Sequence, residues 1–379
     1  MNILILTMNI GGNAPGVSFE RLISGLSDYH NIDVFTVLNN ATNYFTHVNS
    51  IEVVPYIDMP GFRKSQLILL LGLNPFDLLW AHNVKNRIRK KKGKYDIIIS
   101  FVSNEHYAGL IAGVILSKIL KTKLAAFSVD AIPAPLGWSI DNLYFRSCRK
   151  FIDKYLSKVD ILFAANKKML DYQKSFLKNS NIVFDVVYNP SPPQLCVYKE
   201  AKEHIFLYTG EIYQVRRVKY LFKALQLILK EYPQVELHFV GSRIPVEEFE
   251  ILNATERDAI RIYPWTHDLN SFYERSYCLI DIDADIENDV YLSSKINNYV
   301  MTNRPILCET GKNSPSRQIM HGIPSILQCN HNSEEIYYCM KKVIENPITN
   351  FSDRKEIIKL FSIDNIVRRM NDRILETKS

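Results

Sequence analysis

The sequence predicts an α/β protein built as two doubly wound domains in tandem. Three observations carry that prediction. Short apolar runs alternate with longer amphipathic ones along the whole 379 residues. The short runs are apolar nearly throughout, as in Ile97-Ile98-Ile99, which is the pattern of parallel strands covered on both faces. The alternation halts at Asn189-Pro190-Ser191-Pro192-Pro193 and then restarts, in a chain about twice the length of an average domain.

In the first half the pattern gives strands over residues 3–7, 32–38, 95–102, 124–129, 161–165 and 183–188. Helices fall over 17–29, 105–120, 142–156 and 167–176, the first with Phe19, Leu22, Ile23 and Leu26 on one face. Residues 9–16 read as a glycine-rich turn. After the breaker come strands over 205–209, 235–241, 260–263, 278–282, 305–308 and 325–327. The helices between them span 218–232, 245–253, 269–275, 294–301 and 316–321, with more from Glu334 onward. Such sheets bind ligands beyond the carboxyl ends of their strands, here in a cleft between two facing domains.

Composition narrows the class. With 47% hydrophobic and 23% charged residues the chain is a packed globular protein, and 14 glycines and 16 prolines exclude a collagen-like or linker-dominated one. Six scattered cysteines without a C-x-x-C pair exclude a zinc ribbon and a thioredoxin motif. They fit buried thiols in a reducing compartment. The start, Met1 to Leu6, lacks the basic segment of a secretory signal. The apolar stretch 67–80 is broken by Asn74, Pro75 and Asp77, and 108–120 is too short to span a bilayer. The expectation is a cytoplasmic protein, soluble or peripheral on the inner membrane face.

Charge is uneven. Residues 1–190 carry 22 Lys and Arg against 14 Asp and Glu, whereas residues 191–379 carry 24 against 26. The surplus concentrates in the block from Lys85 to Lys94, directly after an apolar stretch. Two readings stand: the solvated end of a core helix, or a strip that docks on an anionic membrane. Nucleic acid is not an expected partner, because no recognition motif accompanies the charge.

Four segments resemble the GT-B glycosyltransferases, in particular the large retaining family 4-like group of bacterial polysaccharide and lipid-glycan enzymes. They are the strand and glycine turn from Ile3 to Gly12, the stretch Val187-Tyr188-Asn189-Pro190, the segment Thr209-Gly210-Glu211 to Arg216-Arg217, and the block Ser293-Ser294-Lys295-Ile296-Asn297-Asn298-Tyr299 to Arg304-Pro305. The resemblance covers essentially the whole chain. It implies an acceptor-binding domain over 1–190, a nucleotide-sugar domain over 191–361, and a C-terminal helix over 362–379 that crosses back to the first domain.

The site follows from the chemistry of a departing diphosphate, whose growing negative charge needs cations and N–H donors. Arg216, six residues past Gly210 at a strand–helix turn, suits phosphate oxygens through its guanidinium fork, with Arg217 as fallback. The alternative is that both simply solvate a helix start. Leu292, Ser293 and Ser294 bring N–H groups at the start of a helix, and Lys295 adds charge; the alternative is an ordinary Ser cap. The resemblance places Asn298 where a glutamate usually binds the ribose hydroxyls, and Asp289 near the transferred sugar. Trp265 lies against the base or packs in the core, and so does Tyr263. Gly11 and Gly12 allow close approach of backbone to acceptor and donor. Asp130 is the candidate that orients or deprotonates the acceptor hydroxyl, with His106 in part replacing the family histidine, where this chain has Val129. Both His106 and the glycine pair have plain structural readings too. The alternating Asp281, Asp283 and Asp285 read as a solvated turn, and no metal is expected.

The resemblance implies transfer with retention. No carboxylate nucleophile is evident, so front-face displacement is favoured. Three functions compete: a glycosyltransferase moving a hexose from a nucleotide-diphosphate sugar to a surface polysaccharide or lipid-linked glycan, a non-catalytic GT-B partner subunit, and a nucleotide-sugar epimerase.

Overall fold

A computed structural model describes residues 1–42, 45, 48–57, 66–67, 70, 73–90, 94–103, 107–138, 142–178, 181–212 and 215–377, with backbone only for 142–147. The chain divides into two compact units, Met1–Pro190 with Phe361–Ser379, and Ser191–Leu360.

The strands of the first unit are β1 (Asn2–Leu6), β2 (Asn9–Gly11), β3 (Asn31–Thr36), β4 (Leu38–Asn40), β5 (Val48–Val53), β6 (Ile97–Val102), β7 (Lys123–Ser128), β8 (Ile161–Ala164) and β9 (Val183–Val186). Seven form one parallel sheet in the order β5-β3-β1-β6-β7-β8-β9. The pleat sends alternate side chains to two cores. Ile3, Ile5, Ile97 and Ile99 pack with Phe19, Leu22 and Ile23 of the helix Ala14–Ser27. Leu4, Leu6, Ile98 and Val102 pack with Leu110 and Ile111 of the helix Ala108–Leu120 and with Trp80 and Val84. Each such fully buried side chain contributes about 1.5–3 kcal/mol.

Residues 9–16 are not a simple turn. Residues Asn9–Gly11 pair in parallel with β4, and the helix begins at Ala14, capped by the Asn13 side chain with a proline in its first turn. Gly11 at φ +68° lies so close to Asn40 that a Cβ would stand 2.2 Å from its carbonyl oxygen. The apolar stretch ahead of the basic block ends in the helix Pro75–Ile88, which buries Trp80, Ala81, Val84 and Ile88. Its Trp80 indole donates to the Val54 carbonyl at 3.1 Å. Of the basic residues, Arg87 pairs with Glu52 at 2.5 Å; Lys91 and Lys92 lie outside the described residues. Among the described residues no helix is long and apolar enough to cross a membrane.

The helix Ile363–Glu376 belongs to the first unit. It lies against Gly25, where a Cβ would meet Ile363 at 2.5 Å. Its Arg369 and Arg373 converge on the buried Asp185, donating at 3.0 and 2.8 Å.

The second unit holds β10 (Ile205–Thr209), β11 (Glu236–Val240), β12 (Ile260–Tyr263), β13 (Cys278–Ile282), β14 (Ile306–Glu309) and β15 (Ile326–Cys329), parallel and ordered β12-β11-β10-β13-β14-β15. Both sheets therefore reverse direction of growth next to their first strand, between β1 and β6 and between β10 and β13. The helix expected over 245–253 is instead a short 3-10 turn, Val246–Phe249, followed by the helix Ala254–Asp258. The reason is local. Asn253 forms a capping box with Glu256, which starts a new helix where the pattern continued an old one. All six cysteines are free; Cys148, Cys278, Cys308 and Cys329 are buried, and Cys196 and Cys339 partly exposed.

Candidate donor-phosphate site

The order reversal between β10 and β13 marks the place where loops leave the second sheet in opposite directions, and ligands in such sheets bind there. From β10 the chain enters Gly210, at φ +109°. That left-handed backbone is accessible to glycine at little cost. The Ser242 hydroxyl, beyond β11, donates to the Gly210 carbonyl at 2.5 Å and fixes the turn. The turn leads to Arg216, which is partly exposed, and to the helix Lys219–Ile228.

From β13 the chain runs through Asp281 and Asp283 to the helix Ser294–Tyr299. Tyr299 locks this helix to β10, since the Thr209 N–H donates to its hydroxyl oxygen at 2.9 Å. Lys295 is thereby laid over Gly210: a Cβ there would stand 3.1 Å from Lys295 Cε. Its ammonium lies 4.8 Å from the centre of the Tyr208 ring and 3.8 Å from Asp281. Burial pushes Lys295 down to about 8, the Arg216 charge pushes the same way, and Asp281 and Asp283 oppose both. Two cations so placed repel one another, and a site that holds them together favours an incoming anion.

Several expectations need correction. Asp281 and Asp283 are not a solvated turn: they are 0% and 2% exposed, and only Asp285 reaches solvent. Asp283 accepts from the Ser314 and Ser316 hydroxyls at 2.5 and 3.3 Å. Burial, then the neighbouring Asp281, pushes its carboxyl up to about 7. Ser293 occupies the cap position but makes no cap hydrogen bond. Its hydroxyl donates to the buried Asp281 side chain at 2.6 Å. The helix it precedes spans six residues, so the site's positive character rests on side chains more than on a dipole. Arg217, the fallback for Arg216, is exposed and pairs with Glu248 at 3.1 Å.

The remaining candidates of this unit sit on the same edge. Leu292 and Ser294 are partly exposed, as is Asn298, one turn after Ser294. Asp289 is buried and accepts from the Tyr291 N–H at 3.1 Å. Trp265, beyond β12, is 58% exposed and stands beside Gly241, so it is no core residue. Tyr263 packs partly between His238 and Phe272. Sequence reasoning missed a further pair at this edge, the buried Glu309 at the end of β14 and the partly buried His331 beyond β15, 2.8 Å apart. Burial alone would lower His331, but the Glu309 carboxylate raises it. Among the described residues no three His, Cys, Asp or Glu side chains form a metal site.

In the first unit, Gly12 is exposed at φ +78°, ahead of the helix Ala14–Ser27. Asp130 follows β7, partly exposed, and its carbonyl accepts from the Ser128 hydroxyl at 2.6 Å. His106 lies outside the described residues.

No protein-family model matches the chain, and no curated protein does. Solved structures do, along their whole length. HepE from Anabaena, solved with UDP and glucose, matches with a TM-score of 0.67 at 13% identity over 99% of each chain. The lipopolysaccharide outer core galactosyltransferase WaaB matches at 0.64 with 14% identity over 100% of each. WaaG, a glycosyltransferase involved in lipopolysaccharide biosynthesis, matches at 0.66 with 11% identity over 98% of this chain and 99% of its own. At such identities the likeness is one of fold, and the fold is GT-B.

Proposed function

We propose that this GT-B chain is a retaining glycosyltransferase that moves a hexose from a nucleotide-diphosphate sugar to a hydroxyl of a surface glycan or lipid-linked acceptor. The observation that carries the reading is the pairing of Arg216 with a buried Lys295 where β10 and β13 part. A departing diphosphate gains negative charge in the transition state, and two cations at this edge stabilise it there more than in the ground state. HepE was solved with UDP, which supports a uridine nucleotide as the first probe. The exposed Trp265 offers a flat face for the base, and Asn298 a hydrogen-bonding side chain for the ribose. In the first unit, Gly11 and Asp130 are the proposed acceptor contacts.

In front-face displacement the leaving phosphate oxygen takes the acceptor proton, so the protein needs to position and stabilise charge without forming a covalent intermediate. Removing one such stabiliser lowers kcat by about 10²–10³. Arg216→Ala is therefore expected to cut donor turnover, as transfer or slow hydrolysis, by about that factor while the protein stays folded. Undiminished turnover would remove the assignment. Asn298 in place of the family glutamate favours a second reading, a partner subunit that binds nucleotide without transfer. Binding with no turnover, in the presence of membranes as acceptor source, would decide for it.

A further inference from the structure

Four carboxyl side chains are buried at the carboxyl edge of the second sheet: Asp281 near the end of β13, Asp283 just beyond it, Asp289 in the loop that follows, and Glu309 at the end of β14. Facing them are Lys295 from the helix Ser294–Tyr299, Arg216 from the turn after β10, and His331 beyond β15. Asp281 is the centre of the arrangement. It accepts from Ser293 at 2.6 Å and has the Lys295 ammonium at 3.8 Å, while one of its oxygens, Oδ2, is buried with no hydrogen-bond partner among the described residues. Asp283 is held by hydroxyls of Ser314 and Ser316.

Such a cluster, closed to water and rich in acid, does not ionise all its members together near neutral pH. Burial pushes the Asp283 carboxyl up to about 7 and the Lys295 ammonium down to about 8, which brings both proton exchanges close to neutral pH. An anion arriving beside Lys295 and Arg216 adds negative charge and makes each proton bind more tightly.

We propose that Lys295 and Asp283, gathered around Asp281, take up a proton when a nucleoside diphosphate binds, so that donor affinity is linked to pH through a buried store of charge under the site. This inference rests on the donor site proposed above. Asp281 is a positioning residue in it, acting on the diphosphate only through Lys295 and Ser293. The sign follows from linkage: a group whose proton affinity rises on binding makes binding tighter at low pH and weaker as pH climbs through its titration. The leaving diphosphate of the proposed reaction would then depart from a site able to give a proton back.

The test is calorimetry of the full chain with UDP, or with whichever of GDP, dTDP and CDP binds, at pH 8 in HEPES, Tricine and Tris. The diphosphate is fully ionised there, so a heat that depends on the buffer's ionisation heat reports protons moved by the protein. Uptake of about half a proton per nucleotide is expected. In Asp281→Asn, Lys295 loses its carboxylate partner, and the pH midpoint of UDP affinity should fall by ~1 unit. Lys295→Met, checked for an intact melting transition, should lose most of the uptake. Buffer-independent heat with binding intact would overturn the proposal, as would an Asp281→Asn variant weakened equally at every pH. Failure of all four nucleotides to bind would overturn the donor site itself, and the linkage with it.

Discussion

Gly210 is constrained twice, by its left-handed backbone at φ +109° and by the Lys295 side chain lying across it. Gly210→Ala should therefore cost about 1–3 kcal/mol in urea unfolding and displace Lys295, weakening nucleotide binding as well. A variant as stable as the parent would mean the turn is free to relax. At this scale the sequence exposed Arg216 and Lys295, because a cation beside a strand–helix turn is conspicuous. It hid Asp281 and Asp283, which looked like a solvated exit. The clue was present in the alternation: Cys278, Ile280 and Ile282 fill one core, so Leu279 and Asp281 must face the other side of the same strand. In a doubly wound sheet that side is covered too. A carboxylate there needs partners, and they came from Ser293, Lys295 and Ser314, a dozen or more residues on.

Two elements carry charge that can be tested directly. The helix Ile363–Glu376 is tied to the first unit by Asp185, whose carboxyl burial would raise but which Arg369 and Arg373 hold below the usual carboxylate range. A depressed carboxyl stabilises fully above its unfolded value, and that contribution is lost as pH falls through its folded one. Asp185→Asn should lower stability by about 1–3 kcal/mol at pH 7, and the gap to the parent should close as pH drops toward 3. A gap independent of pH would show that the ion pairs contribute nothing. The helix Pro75–Ile88 spends its apolar side on the core, so any membrane docking beyond it rests on charge. Neutralising Lys90, Lys91 and Lys92 should weaken binding to anionic vesicles at low salt, each charge being worth about 1 kcal/mol. Unchanged binding would leave these residues as a solvated helix end. The elements that escaped the sequence reading are those with mixed patterning. Strand β5 is half-buried or exposed along its whole length at the sheet edge, with Asn49, Ser50 and Glu52 in it, and no apolar run announces it.

At the scale of the molecule, the tandem α/β plan was legible because central strands such as Ile97–Val102 and Cys278–Ile282 are buried on both faces and so are apolar almost residue by residue. The same plan puts each sheet's order reversal beside its first strand, and in the second unit that single geometric fact brings Arg216 and Lys295 together from segments some 80 residues apart. Which base, sugar and acceptor are used depends on side chains at loop ends, where no periodicity operates. The central claim is that this edge holds a nucleoside diphosphate. Its most direct test is thermal unfolding of the full chain with UDP, GDP, dTDP or CDP at millimolar concentration. A nucleotide at 100 times its dissociation constant stabilises by about 2.7 kcal/mol. The account predicts a clear rise in melting temperature with at least one of the four, most of it gone in Arg216→Ala. No rise with any of them, or an equal rise in the variant, would contradict it.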